Sequence, residues 1–155
     1  MLNMPMHILL LGSGGRESAL AWKIGQSSLC KALFIAPGNG GTAQYGQNVP
    51  LDILDFESIA SFCLEKEIDL LVPGSEDPLV AGIWDFFKSK ERLKHIIIAG
   101  PSQRGAQLEG SKAFAKKFME RHNIPTAAYR EFDRYNLEEG LSYLEQHRRP
   151  IVLKA

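Results

Sequence analysis

The stretch from Leu9 to Glu17, reading Leu-Leu-Leu-Gly-Ser-Gly-Gly-Arg-Glu, admits few folds. A short apolar run passes through a glycine-dense turn directly into a helical pattern, the order of a buried strand, a tight loop and a helix start. Amides at such a helix start have no side chains in front of them. Their unsatisfied hydrogen bonds and the helix dipole both favour a phosphate or another anion. A second glycine turn, Pro37-Gly38-Asn39-Gly40-Gly41-Thr42, follows the next apolar run. Two loops that each follow a strand fall on one edge of a sheet and point to a site for something small and anionic.

The rest of the chain alternates in the same way. Strand-like runs recur near residues 7–11, 31–36, 69–72 and 95–99, and helical patterns near 16–27, 56–66 and 79–90. This reads as βαβ units around an open parallel sheet with flanking helices, an α/β fold. The runs Asp69-Leu70-Leu71-Val72 and Ile96-Ile97-Ile98 are read as apolar on both faces, as strands covered on both sides should be. Ligands of such sheets bind beyond the carboxyl ends of the strands, where both glycine loops and Pro73-Gly74-Ser75-Glu76-Asp77-Pro78 fall. Ala99-Gly100-Pro101-Ser102 interrupts the pattern, which places an α/β domain at 1–103 and a second segment at 104–155. In that segment Ser111 caps a helix running to about His122, buried through Phe114, Ala115, Phe118 and Met119. A weak strand near 127–131 follows, then a helix opened by Asn136 with Glu139 three residues on, and a strand at 151–154. That last strand has no partner in the sequence, the pattern of a polypeptide that continues.

Composition removes several classes. With 18 basic and 18 acidic residues, the chain has no basic field for nucleic acid or an anionic membrane. The cationic stretch from Lys88 to Lys94 reads as a solvated helix end. Residues 8–11 are too short for a signal peptide, and no run approaches the roughly 20 apolar residues of a membrane span. A reducing cytoplasm is the expected compartment. Cys30 and Cys63 lack zinc or redox spacing, and Cys63 continues the apolar stripe of Phe56, Ile59 and Ala60. His7, His95, His122 and His147 are scattered, without metal-ligand or triad spacing. Trp22 and Trp84 lie in helical patterns and read as packing residues.

Two nucleotide motifs fail on inspection. A dinucleotide fingerprint needs glycine where Glu17 stands, and an acidic residue at the end of the second strand, where Ile35-Ala36-Pro37 has none. From Gly105 to Lys112 the glycine spacing of a Walker loop occurs, but Gly110-Ser111-Lys112 replaces the Gly-Lys-Ser/Thr order. Arg16 is placed to fork onto a phosphate, and Glu17 either to bond sugar hydroxyls or to stabilise the helix start. Glu76 and Asp77 suit hydroxyls, an amine or a metal on one reading, and capping of the next helix on the other. Lys112, near a helix start, is either a phosphate contact or a solvated cation. No catalytic residue and no metal ligand is assigned.

Taken together, Leu11 to Glu17, Ala19 to Trp22, Ala36 to Thr42, Pro78 to Gly82, Gln107 to Phe114 and Ile124 to Ala127 resemble the glycinamide ribonucleotide synthetase (phosphoribosylamine–glycine ligase) family. The likeness covers nearly the whole chain in order, but only the first third or so of the family's length. It departs at Ser18, where the family usually has histidine, and at Ser75, where it usually has proline. The resemblance implies a Rossmann-like pre-ATP-grasp domain followed by the start of an ATP-grasp domain. It also implies a ligase of de novo purine biosynthesis whose partners are glycine, 5-phosphoribosylamine and ATP. Magnesium-ATP would phosphorylate the glycine carboxylate, and the amine of 5-phosphoribosylamine would attack the glycyl phosphate. On this reading Gly12, Gly14, Gly15, Arg16 and Glu17 hold the phosphoribosylamine, with Gly38, Asn39, Gly40, Glu76 and Asp77 nearby. Lys112 and Lys154 match lysines that reach ATP phosphates, and the Mg2+ ligands are expected downstream of this sequence. The 155 residues alone are then expected to be inactive. The competing expectation is a non-catalytic phosphosugar- or nucleotide-binding module.

Overall fold

The computed structural model describes residues 4–147 and 150–153. The chain divides into two compact units, Met1–Lys112 and Ala113–Ala155. The first is built on a five-stranded, all-parallel sheet, so the α/β architecture expected from the alternating pattern is the one found. Its strands are β1 (Met6–Gly12), β2 (Cys30–Pro37), β3 (Gln47–Asn48), β4 (Leu70–Pro73) and β5 (Ile97–Ile98). Their spatial order is β3-β2-β1-β4-β5, which puts the change of winding direction between β1 and β4.

Strand β1 forms the centre because it can be covered on both faces. Leu9, Leu10 and Leu11 have no exposed surface. Leu9 and Leu11 pack with Ile59, Cys63, Leu71 and Phe87 on one side, while Ile8 and Leu10 pack with Ala21, Leu33 and Ile35 on the other. Each such buried side chain is worth about 1.5–3 kcal/mol by area removed from water. The second face is closed by α1 (Gly15–Gly25), the first by α2 (Phe56–Glu65) and by the pair α3 (Asp77–Ala81) and α4 (Ile83–Ser89). Asp55 caps α2, accepting from the Ser58 amide at 3.1 Å. The Ser58 hydroxyl, and after it that amide bond, hold the Asp55 carboxyl below its usual range. Cys63 is core, as its place on the stripe predicts, and burial pushes its thiol up to about 12.

Several expectations need correction. The helix read at 79–90 is two helices, begun at Asp77 and broken at Gly82, whose φ of 102° no side-chain-bearing residue adopts comfortably. A helix absent from the sequence reading, α5 (Gln103–Gly110), occupies most of the segment with Walker-like spacing, and its first amide donates to Asp85 Oδ2 at 2.6 Å. The stretch from Lys88 to Lys94, read as a solvated helix end, is exposed at Ser89, Glu91, Arg92 and Lys94. Lys88, however, is half-buried, and its ammonium donates to the carbonyls of Lys94 at 2.9 Å and Ile96 at 2.8 Å. Trp22, expected to pack, is 51% exposed.

In the second unit, α6 (Lys112–Arg121) and α7 (Leu137–Gln146) fall where helices were expected. Ala115 is buried on α6, but Phe114 is not. Residues 127–131 form no strand; the Ala127 carbonyl instead accepts from the Lys116 ammonium at 2.7 Å. Residues 151–153 are not a strand either, and Lys154 lies outside the described residues. Asn136 precedes α7 without capping it, because its side chain accepts from the Asp133 amide at 2.6 Å.

Replacing Gly82 by alanine forces a left-handed conformation on a side-chain-bearing residue. Gly82→Ala should cost about 1–2 kcal/mol in urea unfolding, and an unchanged midpoint would show that the α3–α4 break is not fixed by this residue.

Candidate functional site

Three loops leave the carboxyl ends of β1, β2 and β4 and are stitched together by main-chain bonds. Gly38 N–H donates to the Gly12 carbonyl at 3.1 Å, and Gly74 N–H to the Leu11 carbonyl at 2.8 Å. The sequence therefore brings its two glycine turns and the Gly74–Asp77 segment to one edge, as the βαβ reading requires.

Glu17 stands where the first and third loops meet. In the first turn of α1 and only 5% exposed, it accepts from the Gly14 amide at 2.6 Å through Oε2. A Cβ on Gly12 would lie 2.6 Å from Glu17 Cδ, and one on Gly74 2.4 Å from Oε1. Those two glycines leave space that this carboxylate fills. Arg16, beside it, donates to the Gly74 carbonyl at 2.8 Å and lies 3.5 Å from Glu76 Oε2. The Glu76 carboxyl is held below its usual range, first by its own amide and then by Arg16, with the charge of Lys112 adding to the effect. Asp77 begins α3 and is exposed.

The second loop is organised by Asn39. Its Oδ1 accepts from the amides of Gly41 at 2.6 Å and Thr42 at 3.0 Å. Its Nδ2 donates to the Ser13 carbonyl at 2.7 Å and to Ser18 Oγ at 3.1 Å. Beneath it the fully buried Thr42 hydroxyl donates within reach of the Asn39 carbonyl and Asn48 Oδ1, at 2.9 and 2.8 Å. Gly38, at φ 71°, has Asn48 Oδ1 2.2 Å from where a Cβ would stand. The amides of Gly14, Gly38, Gly41 and Thr42 are thus engaged within the protein. Gly15 and Gly40 differ, since a Cβ on either would meet nothing within 4 Å.

Between the loops lies an open cleft of about 410 Å³, lined by Gly12, Ser13, Gly14, Glu17, Pro37, Ser75 and Asp77 together with Leu51, Asp52 and Ile53. The sequence reading missed the Leu51–Ile53 contribution, because it follows β3, a strand of two polar residues with no apolar signature. Three carboxylates border the cleft: Glu17, Asp52 and Asp77. Carboxylates accept from hydroxyls and amines, while the amides of Gly15 and Arg16, at the first turn of α1, have no intrahelical acceptor and suit an anion. The Ser75 hydroxyl is buried without a hydrogen-bond partner among the described residues. No group of three or more His, Cys, Asp or Glu side chains that could hold a metal occurs among them. No helix of the described residues is long and apolar enough to cross a membrane.

Comparison with known proteins agrees with this architecture. The N domain of phosphoribosylglycinamide synthetase matches residues 6–109, and the ATP-grasp (A) domain of the same synthetase matches residues 110–155. A phosphoribosylamine–glycine ligase of Mesorhizobium japonicum is 51% identical over 150 residues, covering 97% of this chain and 34% of that protein. The ligase of the same name from Pseudomonas aeruginosa is 49% identical over 152 residues, again 97% of this chain and 34% of that protein. Among solved structures, phosphoribosylamine–glycine ligase from Thermotoga maritima superposes with a TM-score of 0.57 at 27% identity, over 88% of this chain and 30% of its own. The ADP complex of an N5-carboxyaminoimidazole ribonucleotide synthetase gives 0.62 at 20% identity over 94% of this chain and 37% of its own, a likeness of fold. The chain spans about a third of the length of the relatives it matches.

The glycines separate by what their missing side chains make room for. Gly74→Ala should lose about 1–3 kcal/mol of stability by crowding Glu17, whereas Gly15→Ala should be neutral or stabilising by up to about 1 kcal/mol. Urea denaturation of the two variants checks this, and the reverse order would mean that Glu17 is not held as described.

Proposed function

The chain belongs to the phosphoribosylglycinamide synthetase family, and from that premise we propose that it forms the N-terminal part of a cytoplasmic, ATP-dependent ligase joining glycine to 5-phosphoribosylamine in purine biosynthesis. Its first unit, on this reading, holds the phosphoribosylamine. The observation that carries the proposal is the convergence of three strand-end loops on one cleft beside the switch point of the sheet. A helix start for an anion adjoins a border of carboxylates for hydrogen-bond donors.

ATP would supply the phosphoryl group that turns the glycine carboxylate into an acylating agent. A bare carboxylate is a poor electrophile, and the amine needs a leaving group to displace. The residues of this chain do the holding. The Gly15 and Arg16 amides and the Arg16 guanidinium take the phosphate, and Gly40 lets the ligand approach the second loop. Glu17, Asp52 and Asp77 accept from the ribose hydroxyls and the amine, which fixes the direction in which the amine points. Glu76 keeps Arg16 in place. Of the two lysines assigned to ATP phosphates, Lys112 is described and is exposed at the start of α6. The ligands of Mg2+ fall, on this reading, in the part of the relatives' length that this chain does not span.

Ribose 5-phosphate at millimolar concentration should shift the amide resonances of Gly14, Gly15 and Gly40 and leave those on β5 unmoved. Unchanged loop resonances would remove the phosphosugar site. In a coupled assay the 155-residue polypeptide should release no glycine-dependent ADP. Turnover by it would overturn the assignment of the ATP chemistry to the two thirds of the relatives' length that this chain does not span.

A further inference from the structure

The second loop contributes two different kinds of group, and hydrogen-bond capacity tells them apart. An asparagine amide has two donors and two acceptor lone pairs. Both lone pairs of Asn39 are taken by the Gly41 and Thr42 amides. Its donors go to the Ser13 carbonyl at 2.7 Å and to Ser18 Oγ at 3.1 Å, with the Gly14 carbonyl at 3.3 Å. These partners also settle which end of the amide is which, because main-chain N–H groups need an oxygen and main-chain carbonyls need a donor. Nothing is left for a ligand. Ser13, Gly14 and Ser18 lie more than twenty residues before Asn39 in sequence, at the first loop and the start of α1, and a main-chain bond from Gly38 to Gly12 also ties the two loops.

We propose that Asn39 is a positioning residue, not a ligand contact: its saturated amide locks the second glycine loop to the first and so sets the ligand affinity of both. The Ser18 hydroxyl is the auxiliary pin of the same lock, lying 3.2 Å from the Gly14 carbonyl and between the two loops. This rests on the phosphosugar site proposed above and assigns Asn39 a different part in it from Gly15 and Gly40, where the ligand has room to approach.

Asn39→Asp tests the two halves of the lock separately. The isosteric carboxylate still accepts from Gly41 and Thr42, but it turns an oxygen against the Ser13 and Gly14 carbonyls, where a donor stood. In the ligand-free 155-residue protein the Gly41 and Thr42 amide resonances should stay near their wild-type positions while those of Gly14 and Gly15 move. Titration of the same samples with ribose 5-phosphate should show binding weakened about tenfold, as expected for losing the donor half of the lock. Should Asn39→Asp fail to fold, Ser18→Ala carries the test, with an expected loss of about two- to threefold and the same movement of Gly14. Wild-type binding matched by both variants would overturn the positioning role alone. A weakened Asn39→Asp with an unmoved first loop would make Asn39 a direct contact and also overturn it. No binding by the wild type would overturn the site and this inference together.

Discussion

A buried carboxylate holds this fold's working edge together. Glu17 brings its carboxyl group into a position 5% exposed, where hydrogen bonds and dipoles must replace water. The Gly14 amide at 2.6 Å and the first turn of α1 supply both. The space comes from neighbours without side chains, Gly12 on the strand β1 exit and Gly74 on the β4 exit. The ends of the two strands that flank the switch point are therefore spaced by one side chain, and the Arg16 bond to the Gly74 carbonyl closes the same joint from the outside.

This explains what could and could not be read from the residues. Strands β1, β2 and β4 announce themselves by apolar runs, and α1 and α2 by their period. The α3–α4 break was invisible for a physical reason: Leu79, Ile83 and Phe87 keep a four-residue spacing and are all buried, so the period runs straight through Gly82. Periodicity registers which face is covered and not whether the helix is continuous. Strand β3 escaped because Gln47 and Asn48 belong to the sheet through main-chain pairing with Phe34 and Ile35, which leaves no mark on residue type. The strand expected at 127–131 fails from the opposite cause. Ala127, Ala128 and Tyr129 read as weakly strand-like, yet the carbonyl of the first is satisfied by a lysine ammonium instead of a ladder.

The sheet edge that carries the candidate site was legible in the sequence, and the division of labour among its glycines was not. Glycine-rich turns after strands identify the edge of the sheet, but a glycine in a sequence says only that a side chain is missing. Whether the room serves the protein or a ligand depends on what stands opposite. Opposite Gly12 and Gly74 stands Glu17, opposite Gly38 stands Asn48, and opposite Gly41 stand Asn39 and Ser18. Only the three-dimensional arrangement leaves Gly15 and Gly40 as the open positions. Asp52 carries no local signal at all, since its place in the cleft follows from a strand that itself cannot be recognised.

The electrostatics of the edge limit what can bind there. The positive end of α1 is already partly neutralised by Glu17, and Arg16 faces Glu76 at 3.5 Å. An inorganic anion entering the cleft would meet Glu17, Asp52 and Asp77 with no cation among the lining residues. Two like charges about 4 Å apart repel by roughly 4 kcal/mol at an effective dielectric near 20, so a compact anion gains little by going deep. A hydrogen-bond donor alone would find acceptors but leave the Gly15 and Arg16 amides to water. On the function proposed above, the two halves of the site are served together by a molecule with its anion at one end, toward the helix start, and hydroxyl or amine donors at the other. A phosphorylated amino sugar has that layout, and the separation of its charged and donating ends is what would let the carboxylate border select it over free phosphate.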